Sequence, residues 1–139
     1  MKKREPVSSI MSRELVTVQR GKNNLRDVKD IFRKKNIRHV PVMDGEKLVG
    51  MISKNDIMRL SFGNVFDNQD EGDEAVLDML NIDQVMSSNP VAVTAETTIK
   101  DAAEILVAEH FHSLPVEEEG KLTGIVTSTD VIKYLLEQY

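Results

Sequence analysis

The chain has 139 residues, no cysteine and a formal net charge of −5. That length supports one compact module with a real apolar core, and 40% apolar with 29% charged residues is the composition of a soluble globular protein. Without cysteine, disulfides and thiolate chemistry are excluded, and a metal would depend on histidine and carboxylates. No apolar run approaches a membrane span. The basic start Met1-Lys2-Lys3-Arg4-Glu5-Pro6 leads into no apolar stretch and so does not read as a signal peptide; a cytoplasmic location is expected.

In chain order, Leu15 to Val18 alternates like a strand, and Asn23 or Asn24 is placed to cap a helix whose apolar face is Leu25, Val28, Ile31 and Phe32. Arg38 to Val42 is a β-rich run, Asp44-Gly45 a turn, and Lys47 to Ile52 the returning strand. A helix beginning near Ser53 carries Ile57 and Leu60 inward, and Met51 and Met58 read as core. Ser61 to Asn81 is acidic and free of Lys and Arg. Gly63, Asn64, Asn68 and Gly72 mark it as a loop, while Glu74 to Leu80 suits a short helix. Such a charge cluster is expected to be a solvated linker, with partner binding or Mg²⁺ collection as the alternatives.

The plan then recurs. Thr97 or Thr98 caps a helix with Ile99, Ala102, Ala103, Leu106 and Val107 facing inward, Glu119-Gly120 makes the turn, and Val131, Ile132 and Leu135 face inward on the last helix. Met11-Ser12, Arg38-His39-Val40-Pro41-Val42 and Gly50-Met51-Ile52-Ser53-Lys54-Asn55-Asp56 reappear as Met86-Ser87, His112-Ser113-Leu114-Pro115-Val116 and Gly124-Ile125-Val126-Thr127-Ser128-Thr129-Asp130. The division expected is repeat 1 over 1–61, an acidic linker over 62–80 and repeat 2 over 81–139. Each copy, at roughly 55 residues, is marginal alone, so the two are expected to share a core. Duplication of this kind points to two related sites rather than one active centre.

Charge is uneven along the chain. Residues 1–60 hold 15 Lys/Arg against 7 Asp/Glu, and residues 61–139 hold 3 against 16. The basic half has a single aromatic residue, Phe32, and no nucleic-acid-binding motif, so nucleic acid is not the partner expected. The asymmetry favours an antiparallel dimer instead, each basic repeat lying against an acidic one.

Candidate chemistry concentrates at Ser53-x-x-Asp56 and Thr127-x-x-Asp130. A hydroxyl followed three residues later by a carboxylate is a helix cap in many proteins. It is also suited to a ligand: the carboxylate can accept from a vicinal diol, the adjoining helix N-terminus favours an anion, and Gly50 or Gly124 before it would let a ligand approach the strand. Arg38, His39 and His112 suit phosphate or are exposed strand-edge residues. His110-Phe111-His112 lacks a third metal ligand nearby. No Gly-x-Ser-x-Gly, P-loop, His-Glu-x-x-His or triad spacing occurs, so an enzyme is not expected.

This doubled pattern resembles a pair of cystathionine β-synthase (CBS) domains, a Bateman module, over about Val7 to Leu136, and is expected to stand alone as such a pair. The resemblance implies an α/β (α+β) fold of two βαββα units packed through their sheets with pseudo-two-fold symmetry, two clefts between them, and disc-like homodimers. It also implies non-catalytic sensing of AMP, ADP, ATP or S-adenosylmethionine on behalf of an effector protein, with Mg²⁺ only as a nucleotide counter-ion. Carried over by position, Asp56 and Asp130 would hold ribose hydroxyls, helped by Ser53 and Thr127. Arg38, His39, His112 and Ser113, with Lys54 and Ser128, would line the phosphate region, sometimes serving the cleft whose ribose Asp belongs to the other repeat; Thr17, Val18, Ala92 and Val93, with Val40 and Leu114, would flank the base. Ser113 stands where some nucleotide-binding members have Arg, so the region of Arg38, His39 and Lys54 is expected to prefer a polyphosphate. A dimerisation scaffold without ligand, with the Ser/Thr-x-x-Asp motifs serving only as caps, is the competing reading.

Overall fold

The structure, a computed structural model, describes the backbone of residues 4–60 and 70–139 and the side chains of 4–60 and 75–139. Positions 61–69 of the expected acidic loop, including Gly63, Asn64, Asp67 and Asn68, lie outside the described residues. The fold is α+β, and the chain divides into two compact units, residues 16–89 and residues 1–15 with 90–139.

The unit of residues 16–89 carries a four-stranded sheet in the order β1 (Val18–Gln19), β2 (His39–Asp44), β3 (Lys47–Ser53), β4 (Ser87–Ser88). β1 runs parallel to β2 with Val18 opposite Val42; β3 is antiparallel to both of its neighbours, with Val40 opposite Ile52 and Met51 opposite Ser87. Between β1 and β2 lies α1 (Leu25–Lys35). Its start is fixed by a reciprocal cap, in which the Asp27 N–H donates to Asn24 Oδ1 and the Asn24 N–H to Asp27 Oδ2, both at 2.9 Å. Its end is Asn36 in the left-handed region, and Leu25, Val28 and Phe32 form its buried stripe. α2 (Lys54–Leu60) follows β3 directly.

The acidic segment is not merely a solvated linker. α3 (Asp70–Met79) packs in this unit, where Leu77, 2% exposed, joins the core with Ile82 of α4 (Ile82–Val85). Arg26 binds Asp78 at 2.7 Å, and Arg20 binds Asp83 at 3.1 Å. Exposed pairs of this kind contribute little; burial of Leu77 holds the helix. The consequence for charge is large. Residues 16–89 contain 11 Lys/Arg and 12 Asp/Glu, and the other unit contains 7 and 11. Two cations of the basic stretch, Arg20 and Arg26, are thus paired with carboxylates of the acidic stretch inside one unit.

The second unit repeats the arrangement with α5 (Ile99–Glu109), β5 (Ser113–Glu118), β6 (Lys121–Thr127) and α6 (Ser128–Glu137). β5 and β6 pair with the register of β2 and β3, including the same bulge, here between Val116 and Glu117. Val93 bridges Val116 in parallel, as Val18 meets Val42, and Ser12 bridges Ile125, as Ser87 meets Met51. The hairpin turns differ in one respect. Gly45 alone has positive φ in the first, whereas Glu119 and Gly120 both do in the second, which selects mirror-image turns with the twist of the strands.

The compact units are thus not the sequence copies. The opening segment of each copy completes the sheet of the other: Val7 and Met11 lie in the core of the second copy, and Leu77, Ile82 and Met86 pack with the core of the first. The buried side chains form two clusters, one in each unit. Exchange answers the same physical need, since neither repeat has enough apolar surface of its own.

Several side chains expected inside are outside. Val107 (75% exposed), Ile132, Leu135 and Met58 face away from the cores. A short helix laid on one side of a small sheet buries only a narrow stripe, here Ile99, Ala102 and Leu106 on α5 and Val131 on α6, so apolar residues flanking that stripe remain uncovered.

Candidate functional site

Each candidate site is built at the end of a strand. In the first, β3 ends at Ser53, opposite His39, and the Lys54 N–H donates to the Arg38 carbonyl at 2.8 Å. These backbone pairings bring Arg38, His39, Ser53, Lys54 and Asp56 together. In the second, Ser113 lies opposite Thr127 and the Ser128 N–H donates to the His112 carbonyl at 3.0 Å, assembling His112, Ser113, Thr127, Ser128 and Asp130.

Both hydroxyl–carboxylate pairs are capping boxes. The Ser53 N–H donates to Asp56 Oδ2 at 2.8 Å and the Asp56 N–H to Ser53 Oγ at 3.1 Å; Thr127 and Asp130 repeat this at the same distances. The free donors of a helix start are thereby mostly consumed by the chain, leaving the Asn55 and Thr129 N–H groups as the first-turn donors outside these bonds. The cap also fixes each carboxylate. Asp56 is held with its side chain 16% exposed, one oxygen on the backbone and the other, Oδ1, accepting from Arg59 Nη2 at 3.0 Å. Asp130 has the same backbone bond, and Lys133 stands in the place of Arg59.

The glycines have a different task from the one expected. A Cβ on Gly124 would lie 2.7 Å from the Met11 sulfur and 2.9 Å from the Ser12 carbonyl oxygen, and one on Gly50 would collide with the Met86 sulfur. The missing side chains admit the exchanged Met-Ser segments, not a ligand.

Around these points Arg38, Lys54 and His112 are exposed, and His39, Ser53, Ser113, Thr127, Ser128, Thr17 and Ala92 are half-buried. Val40 and Leu114 are completely buried in the two cores, with Val18 and Val93 nearly so. His110 ends α5 in the left-handed conformation, and among the described residues no group of three or more His, Asp or Glu is placed to hold a metal ion. Residue type and spacing do not single out Arg59. Its spacing of three from Asp56 on a helix was the available signal, but that spacing is common to many surface ion pairs.

Among the described residues no helix is long and apolar enough to cross a membrane. The chain is 31% identical over 132 residues to the uncharacterized protein MJ1225 of Methanocaldococcus jannaschii, covering 94% of this chain and 43% of that protein. It is 31% identical over 157 residues to MJ1426 of the same organism, covering 94% and 90%. Its fold superimposes on the crystal structure of CBSX2 in complex with AMP with a TM-score of 0.77 and 26% identity, covering 96% of this chain and 98% of that one. The CBS domain profile matches residues 7–63 and again 82–137, and the chain belongs to the CBS domain family as a tandem pair.

Proposed function

We propose that the protein is a non-catalytic regulatory module that binds adenosine-containing ligands at its two Asp-bearing sites and signals to an effector protein in the cytoplasm. The observation that carries this reading is the repeated placement of a carboxylate, locked by its own cap, beside Arg38, His39 and Lys54 in one copy and His112, Ser113 and Ser128 in the other. A carboxylate so fixed accepts from a vicinal diol without losing side-chain freedom on binding. Likeness to a structure in complex with AMP supports a nucleotide as ligand; AMP, ADP, ATP and S-adenosylmethionine remain the class, with Mg²⁺ entering only with a polyphosphate. Binding signals by shifting an equilibrium between two conformations, to the extent of the ligand's different affinity for each.

The module acts as a homodimer in this reading. Val107, Ile132, Leu135 and Leu136 on α5 and α6 are apolar and exposed, and a second copy would cover them.

A ligand-free dimerisation scaffold is the second reading, favoured by the two complete capping boxes, which account for Ser53, Asp56, Thr127 and Asp130 without a ligand. Native mass spectrometry of the purified protein separates the two. An added mass of an adenosine compound on the chain or its dimer supports sensing, and bare protein that also takes up none of the four compounds when they are added supports the scaffold.

A further inference from the structure

The two sites differ in a way their shared caps conceal. In both, one carboxylate oxygen accepts the N–H of the cap residue at 2.8 Å. In the first, the other oxygen also carries the Arg59 guanidinium, through Nη2 at 3.0 Å. In the second, Lys133 occupies the position of Arg59, and among the described residues Asp130 takes part in no ion pair. Each oxygen of the Asp56 carboxylate therefore already accepts one bond from its own chain, while among the described residues one oxygen of Asp130 accepts none.

We propose that Arg59 is a specificity-determining residue that makes the Asp56 site select phosphorylated over unphosphorylated nucleosides; this rests on the reading of Asp56 as a diol acceptor. A neutral nucleoside offers only its hydroxyls, which must share or displace the guanidinium on Asp56 Oδ1. Nothing in that ligand compensates the guanidinium for its lost partner. A nucleoside phosphate brings a second anion, and Arg forms stronger, forked hydrogen bonds to phosphate than a neutral group can accept. Arg59 is 74% exposed and ends a long flexible side chain, so it is anchored only by this bond and is free to change partners. The ligand's phosphate thus relieves the competition that its diol creates. At Asp130 no such competition exists, and the preference for phosphate there depends on the residues near His112 alone.

The test uses the full ¹⁵N-labelled chain titrated with adenosine and with AMP, reading the backbone amides of Asp56 and Asp130 separately. The ratio of AMP to adenosine affinity at Asp56 is expected to fall by about two- to five-fold in Arg59→Ala, the scale of one exposed ion pair. Adenosine should bind the variant more tightly, Arg59→Lys should retain part of the ratio, and the ratio at Asp130 should not change. Lys133→Arg should raise the ratio at Asp130. If both probes still bind at Asp56 and the ratio is the same in wild type and Arg59→Ala, Arg59 carries no selection and the proposal is overturned while nucleotide binding stands. If neither probe moves either amide in the wild type, nucleotide binding itself is overturned and the selection with it.

Discussion

The Met11 thioether lies over Gly124, where a Cβ would come within 2.7 Å of its sulfur, and this contact joins the first segment of the first copy to β6, the last strand of the second. Met86 repeats it over Gly50. Each unit is closed by a side chain from the other copy's opening, and each closure requires a residue without a side chain beneath it.

Gly124→Ala should destabilise the protein by about 1–3 kcal/mol, the usual cost of forcing atoms into a packed core. Met11 can move aside, but the Ser12 carbonyl, 2.9 Å from the new Cβ, is backbone held by its pairing with Ile125. In urea unfolding, Gly124→Ala/Met11→Ala should therefore recover none of the loss.

Exchange of the opening segments also predicts where damage appears. Val7→Ala removes a fully buried side chain of the 1–15/90–139 core. By hydrogen exchange, β5, β6 and α6 should lose protection, although the substitution is in the first sequence copy. Strands β2 and β3 should be unaffected.

Leu77→Ala should cost about 2–5 kcal/mol, the range for a buried leucine, whereas Asp78→Asn should cost no more than about 1 kcal/mol because its pair with Arg26 is exposed. A thermal-melt difference of this sign separates a helix belonging to the core from a solvated linker.

The sequence made local structure plain. The caps at Asn24 and Thr98, the two hairpins and the helices α1 and α5 follow from residue type and spacing, and duplication showed each twice. Pairing between distant segments was hidden: Met11-Ser12 and Met86-Ser87 are visible as a repeated motif, but nothing local tells which strand each joins. For the same reason Gly50 and Gly124 read as openings for a ligand. Helical periodicity locates the inner faces of α5 and α6 but not their width, which depends on the small sheet beneath, so it does not distinguish the exposed Val107, Ile132 and Leu135 from the buried stripe. At the site, Ser53, Asp56, Thr127 and Asp130 stood out by spacing. Arg59 did not, because its significance depends on which carboxylate oxygen the cap leaves uncovered.

Leu135→Glu/Leu136→Glu should leave the melting temperature of the monomer nearly unchanged, since both side chains are exposed, and should convert a dimer to a monomer in light-scattering chromatography. A wild-type monomer at the same concentration would contradict the homodimer.

The polyphosphate preference expected of the first site has its own check. In Arg38→Ala/Lys54→Ala, ATP affinity at Asp56 should fall more than AMP affinity, because both side chains are exposed cations beside that carboxylate. Equal ATP affinity with and without them would refute the preference.

The most direct test is the thermal stability of the wild type and of Asp56→Asn/Asp130→Asn with AMP, ADP, ATP and S-adenosylmethionine. The amide substitution keeps an oxygen to cap each helix and removes the charge that holds a diol. At 100 times its dissociation constant, a ligand binding one site of the folded protein adds about 2.7 kcal/mol. At least one compound should raise the wild-type melting temperature and leave the double variant unmoved; no shift in the wild type with any of the four would contradict nucleotide sensing.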